Sequence, residues 1–217
     1  MPAGARRFRM LGDEYLSFRF GAEHIMAMPA VPGRRWSARE VRQLIEEAPL
    51  ATPRYELVDG ELLVTPSPAA LHQSAVGLLL IMLDSYARKN GIGVAYTSPF
   101  DVELEPETLV QPDVFVASMS EARRLITEMP ARELLVAVEV ISPSSARYDR
   151  VTKRALYQRY VPEYWVIDLN ARLVERWVPN DDRPEIIADT LVWAPEGASE
   201  PFMLELPGYF ADVYLER

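Results

Sequence analysis

The chain has 217 residues, 49% of them apolar and 25% charged, enough to bury one sizeable core and too apolar for a disordered tail. Cysteine is absent, which removes disulfides, thiolate metal sites and a cysteine nucleophile together; it fits a reducing compartment and makes a cytoplasmic location the expectation. The apolar runs Leu78 to Leu83 and Leu134 to Val138 fall far short of the roughly 20 residues that span a bilayer, so no membrane association is expected. The net charge of −9 is lopsided: residues 161–217 carry 4 arginines against 12 acids, residues 1–160 carry 19 basic against 20 acidic side chains, and an anionic ligand on the first part is not excluded.

Residues 1–28 hold Arg6, Arg7 and Arg9 without an apolar stretch of signal-peptide length, and read as an appendage with Met26 or Met28 as the natural beginning; 29–217 reads as one domain. The capping box Ser37-Ala-Arg-Glu40 starts a helix expected to run to about Ala48. Tyr55–Val58 and Glu61–Thr65 flank Asp59-Gly60, the dipeptide that most easily takes the positive φ values of a two-residue hairpin turn. Ser67-Pro68 gives an N-cap and a first-turn proline, and Asn90-Gly91 a stop, for a long helix whose stripe of Leu71, Ala75, Leu78, Met82 and Tyr86 should face the core. Strand-like stretches follow at 93–97, 101–104 and 114–117, then a short helix near 120–128. Leu134 to Ile141 has the pattern of a strand covered on both faces, and a helix over about 146–160 leads to a strand at 164–169, an order that implies a right-handed crossover. The acidic tail offers further strands at 173–178, 185–187 and 202–206.

Three charged residues stand where apolar ones belong. Glu139 interrupts Leu-Leu-Val-Ala-Val-Glu-Val-Ile, where an unpaired carboxylate costs several kcal/mol, so it reads as a buried ion-pair member, as a charge at a strand end opening to solvent, or as a metal ligand. Asp113, directly before an apolar strand, is alone a turn aspartate; with a second carboxylate at a neighbouring strand end it makes a hard-metal site, because Mg²⁺ takes one or two carboxylates plus water and phosphate oxygens. Asp149, Lys153, Leu156 and Tyr160 fall at i, i+4, i+7 and i+11 on one helical face that should point inward, while Arg147, Arg150 and Arg154 cluster on another. Lys153 is one of 2 lysines in the chain, and on an apolar stripe it suggests a compact ammonium that approaches a phosphate oxygen or a water, against a plain Asp–Lys surface pair. Glu56 is an exposed hairpin residue or a third carboxylate over the site, and His72 reads better as a core-edge histidine held by a backbone carbonyl than as a ligand. No Walker loop, dinucleotide glycine fingerprint, nucleophile-elbow serine or deaminase zinc signature is present.

These residues carry a resemblance. Tyr55-Glu-Leu-Val-Asp-Gly-Glu61, Ser67-Pro68 with His72, Gln111-Pro-Asp-Val-Phe-Val116, Val138-Glu-Val-Ile-Ser-Pro-Ser144, Asp149 with Lys153 and Tyr157, and Glu163-Tyr-Trp-Val-Ile-Asp168 resemble, in order, the Uma2 family of predicted endonucleases, a bacterial branch of the PD-(D/E)XK superfamily. The resemblance covers about residues 35–180. It implies an α/β (α+β) restriction-endonuclease-like fold: a mixed, four-stranded central sheet flanked by helices, here with an extra β-rich tail. It implies a metal-dependent endonuclease acting on nucleic acid, expected to be DNA, with homodimerisation expected by analogy. Asp113 and Glu139 match the superfamily acids, Ile141 occupies the usual lysine position, and Lys153 is the relocated lysine. The expected mechanism places Mg²⁺ or Mn²⁺ on Asp113, Glu139 and the Val140 carbonyl, with Lys153 stabilising the transition state, Glu56, His72 and Asp149 accessory, and Arg147, Arg150 and Arg154 contacting nucleic acid. Two alternatives stay open: a degenerate module that binds nucleic acid or a partner protein without cutting, favoured by Ile141 and the acidic balance, and, ranked last, a carboxylate-pair glycosidase in which Lys153 has no role.

Overall fold

The computed structural model describes residues 34–47, 53–65, 67–141 and 145–216, with the backbone of three short strands before them: β1 (Arg6–Arg9) and β2 (Tyr15–Phe18), which pair with each other, and β3 (Met28–Pro29). The expected appendage, 1–28, and the Ser142-Pro143-Ser144 part of the motif otherwise lie outside the described residues.

Helix α1 (Ala38–Glu47) opens on the expected capping box. The Ser37 backbone N–H donates to Glu40 Oε2 at 2.9 Å and the Glu40 N–H donates to Ser37 Oγ at 3.3 Å. Strands β4 (Arg54–Val58) and β5 (Glu61–Thr65) form the expected hairpin, with φ of 51° at Asp59 and 76° at Gly60, and β3 pairs with the outer side of β5. Trp36, Val41, Leu57, Leu62 and Leu109 make a small core between α1 and this hairpin. Two hydrogen bonds between the backbones of Leu57 and Leu109 tie the hairpin to the approach to the main sheet.

Helix α2 (Ala70–Lys89) begins after Ser67-Pro68 rather than on it. Its N-cap is Ala69, with no side-chain cap from that residue, and Ala69 and Ala70 are exposed. Its buried face also differs from the expected stripe: Ala75, Val76, Leu79, Leu83 and Ala87 are buried, Leu71, Leu78 and Tyr86 pack partly, and Met82 is 37% exposed. The helix is apolar on most sides, so spacing alone leaves two neighbouring stripes in competition.

The main sheet has six strands in the order β11-β10-β9-β8-β7-β6, two more than expected. Strands β6 (Gly93–Thr97), β7 (Val114–Ser118), β8 (Leu134–Ile141) and β9 (Tyr164–Asp168) fall at four of the strand-like stretches read from the sequence; β10 (Leu173–Trp177) and β11 (Glu185–Ile187), read as tail strands, extend that sheet, antiparallel. Residues 101–104 form no strand: a turn through Glu105–Glu107 returns the chain so that Val102 makes isolated bridges to Val110 and Ala131. A short helix, α3 (Met119–Arg124), is capped by Ser118, whose Oγ accepts from the Glu121 N–H.

Strands β8 and β9 are parallel and joined by one helical segment: α4 (Ala146–Tyr148), a π-helical turn (Asp149–Lys153) and α5 (Arg154–Tyr160). Alternation splits the sheet faces. Val114, Val116, Val136, Val138 and Val140 pack under α2, whereas Phe115, Ala137 and Ile141 pack against Leu156 and Tyr157 of α5. The tail holds more than strands: β12 (Thr190–Trp193) and β13 (Phe202–Glu205) form a separate hairpin, and α6 (Leu206–Val213), with a proline in its first turn, packs on α2.

Candidate functional site

Strand register gathers the site. Val114 pairs with Val138 across antiparallel β7 and β8, and continuing that register sets Asp113 opposite Glu139 at the end of the sheet, on the face covered by the π-helical turn. Both acids are buried, at 3% exposure. The loop carrying Gln111 is fixed by its N–H, which donates to Glu56 Oε1 at 2.7 Å, so the hairpin places its own carboxylate over the same spot.

Lys153 stands at the centre. Its Nζ lies 2.9 Å from Glu56 Oε1, 2.9 Å from Glu139 Oε1 and 3.6 Å from Asp149 Oδ1, with the side chain 4% exposed. The surface-pair reading of Lys153 and the exposed-strand reading of Glu56 are therefore set aside. Tyr157 Oη donates to Glu139 Oε1 at 3.1 Å, and Tyr164 Oη donates to the Asp149 carbonyl. Tyr160, expected inside, is 43% exposed, its hydroxyl bonded to Glu105, and Tyr157 takes its place. The π turn is the reason: it inserts one residue, so the face loses about 100° of phase and position i+11 no longer returns to it.

Asp113 is held from three sides. Arg54 Nη1 donates to Oδ1 at 2.9 Å, His72 Nε2 lies 3.0 Å from Oδ2, and the Val140 N–H donates to Oδ2 at 2.9 Å. His72 thus meets a carboxylate where a backbone carbonyl was expected. Arg54 was not legible as a site residue, although it lies two positions before Glu56 on the same strand face.

These contacts separate the acids electrostatically. Burial favours the neutral form of Asp113, but the His72 hydrogen bond, the Arg54 charge and the Val140 N–H hold its carboxyl well below the usual carboxylate range. Burial pushes Glu139 well above its ordinary value, opposed by Lys153 and reinforced by Asp113, Asp149 and Glu56. Burial likewise pushes Asp149 up to about 6, against the pull of Lys153. Lys153 is raised well above an ordinary lysine: burial works against its charge, and the carboxylates of Glu139, Glu56 and Asp149 prevail. Leaving His72 aside, the four carboxylates face two fixed cations, Lys153 and Arg54.

That excess of hard oxygen donors suits a divalent cation. Among the described residues no three histidines or acids are grouped as a ready ligand set. Asp113, Glu139 and a carbonyl, completed by water and a phosphate oxygen, match instead the sparse protein ligation that Mg²⁺ accepts.

The expected nucleic-acid contacts fare differently. Arg150 donates to Glu175 at 2.7 Å and Asp168 at 2.9 Å, and Arg154 binds Gln158 and lies 4.9 Å over the Trp177 ring, so both are committed within the protein. Arg147 is exposed.

A six-stranded mixed sheet with helices on both faces and an acid–lysine cluster at one strand end defines a mixed α/β protein of the restriction-endonuclease-like kind. Residues 40–200 match the Uma2 family, described as "Putative restriction endonuclease", and the chain belongs to that family. It is also similar to the crystal structure of "a putative nuclease belonging to DUF820 from Anabaena variabilis ATCC 29413", with a TM-score of 0.67 over 82% of this chain and 99% of that one. The two are 18% identical, and the likeness bears on the fold alone. No curated protein matches the chain. No helix among the described residues is long and apolar enough to cross a membrane.

Proposed function

We propose that the chain is a metal-dependent endonuclease that hydrolyses phosphodiester bonds, with DNA as substrate and the cytoplasm as its place of action. The observation that carries this reading is Lys153: a buried ammonium shared by Glu56 and Glu139 at 2.9 Å each, beside Asp113. Asp113, Glu139 and the Val140 carbonyl are the groups that would hold Mg²⁺ or Mn²⁺, which when bound supplies an activated water and polarises a phosphodiester oxygen. Arg54 and His72 keep Asp113 ionised and oriented. Tyr157 and Lys153 fix Glu139 through its Oε1. The Lys153 ammonium then meets the charge that develops on the phosphorane oxygens, at a point where burial makes each charge interaction stronger than in water. Asp149 holds Lys153 from the preceding helical turn.

The test is metal-dependent nicking of plasmid DNA by the wild type and by Glu139→Ala. Nicking that the wild type shows and the variant lacks supports the assignment, and activity that survives the substitution removes it. One observation favours the second reading, a module that binds without cutting: both oxygens of Asp113 already have partners. Calorimetric titration with Mn²⁺ separates the two, because a retired site binds the metal no better in the wild type than in Glu139→Ala.

A further inference from the structure

A cleft open to solvent is lined by Arg54, His72, Gln73, Ser98 and Asp113 between Pro68 and Pro99. Arg54 and His72 are 11% and 14% exposed, and each is only half satisfied. Arg54 Nη1 serves both Ser98 Oγ, at 2.8 Å, and Asp113 Oδ1, while its Nε is buried with no acceptor among the described residues. His72 engages Asp113 through Nε2, and its Nδ1 is buried with no partner among the described residues. Buried polar atoms left unmet are costly, and both belong to side chains that line this one opening. The Nε of a guanidinium is one arm of the fork with which arginine grips an oxyanion. Asp113 is the one acid among the described residues of the lining, and Arg54 pairs with it at 2.9 Å.

We propose that this cleft is a phosphate-binding subsite, taking a phosphate group on Arg54 and His72 next to the acid–lysine cluster. The inference rests on the nuclease reading for the carrier of that phosphate, a nucleic-acid strand. Two sources share the chemistry: the monoester at a strand end, and an internal diester one or two nucleotides from the group at Lys153.

The chain has 2 histidines, so ring resonances of His72 are resolved in the full-length protein once a His24→Gln variant identifies the other. Without divalent metal, the probes are inorganic phosphate, a 5′-phosphorylated dinucleotide and the same dinucleotide with a 5′-hydroxyl. A saturable shift of His72 is expected. Arg54→Lys, which keeps a cation for Asp113 but loses the fork, weakens the affinity at least tenfold. Gln73 is exposed at the rim, so Gln73→Glu and Gln73→Lys leave the fold alone and move the affinity about threefold to tenfold in opposite directions. Saturation by inorganic phosphate and only the phosphorylated dinucleotide assigns a strand end; equal saturation by both dinucleotides assigns an internal diester. A His72 ring that none of the probes moves, or shifts indifferent to the substitutions at Arg54 and Gln73, overturns the subsite. The two readings fail separately: phosphate binding without nicking removes the nuclease and leaves the subsite, whereas Glu139-dependent nicking with a silent His72 removes the subsite alone.

Discussion

Replacing Lys153 by methionine keeps the length of the side chain and removes its charge, and the consequence follows from the three carboxylates around it. Two stand at 2.9 Å and one at 3.6 Å, all buried, so no water is at hand to replace the ammonium. Breaking a buried ion pair from one side costs about 3–5 kcal/mol, because the remaining charge is left unmet. In the wild type the raised value of Lys153 gives stability that is fully present below an ordinary lysine's value and lost only as pH rises through the folded one, so it is constant between pH 5 and 8. In the variant, Glu139 and Asp149, already raised, lose the cation that held them down and rise further. Acids raised by folding contribute stability below their unfolded values that is lost as pH rises through their folded ones. The variant therefore weakens with pH by up to about 1.4 kcal/mol per unit for each extra proton the folded state holds. Urea unfolding of both proteins at pH 5 and pH 8 is the assay. The expected deficit is about 3–5 kcal/mol at pH 8 and smaller by about 1–3 kcal/mol at pH 5. A deficit below about 1 kcal/mol, the same at both pH values, would refute the reasoning and return Lys153 to a solvated pair.

Lys153→Arg should lose nicking nearly as fully as Lys153→Met while keeping more of the stability, since a planar guanidinium keeps the charge and misplaces it; equal cleavage rates and melting temperatures for wild type and Lys153→Arg would end the catalytic reading. Gly93 lies where an added Cβ would come 2.1 Å from the Ala117 carbonyl oxygen, so Gly93→Ala should destabilise by on the order of 3 kcal/mol in a thermal melt, and a neutral result would show that β6 can draw away from β7. Glu163 accepts both Arg176 arms and the Trp165 indole N–H, so Glu163→Gln should cost about 1–3 kcal/mol and change tryptophan fluorescence, which a surface salt bridge would not do.

How far the site was legible depends on which periodicity carried it. Glu139 was legible as a carboxylate that interrupts a continuous apolar run, and Asp113 as one directly before another apolar strand. Glu56 and Arg54 sit on a strand whose other neighbours are local, and only the contact between Leu57 and Leu109 turns that hairpin over the site; no spacing in the sequence encodes it. The same limit applies to α2, where apolar residues on most sides leave two neighbouring stripes in competition, and to the tail, where α6 follows strand-like residues. His72 was placed correctly at the core edge, but its partner is 41 residues away. Arg150 illustrates the opposite case: a local surplus of charge looked available, while Glu175 and Asp168, contributed by later strands, had already claimed it.

The helix after β8 shows how a local irregularity assembles the cluster, and it yields a test of its own. From Asp149 to Tyr157 is eight residues, which in an uninterrupted α-helix turns about 800°, some 80° past two full turns. The π turn takes up one residue, so the effective path is seven and about 700°, which brings Tyr157 back to within about 20° of Asp149. Asp149, Lys153 and Tyr157 can then all reach the strand that carries Glu139, and Tyr160 swings out. Deleting Val151, exposed within the π turn, should convert it to α-helix without changing the phase of either flank, so the protein should fold with its melting temperature lowered by only a few degrees. Deleting Ala155, exposed in the regular α-helix, shifts Tyr157 by about 100° against Lys153 and should abolish cooperative folding. The two deletions remove one small exposed residue each, four positions apart, so chain shortening alone predicts equal damage. Equal damage would refute the inserted-residue account of why Asp149, Lys153 and Tyr157 share a face.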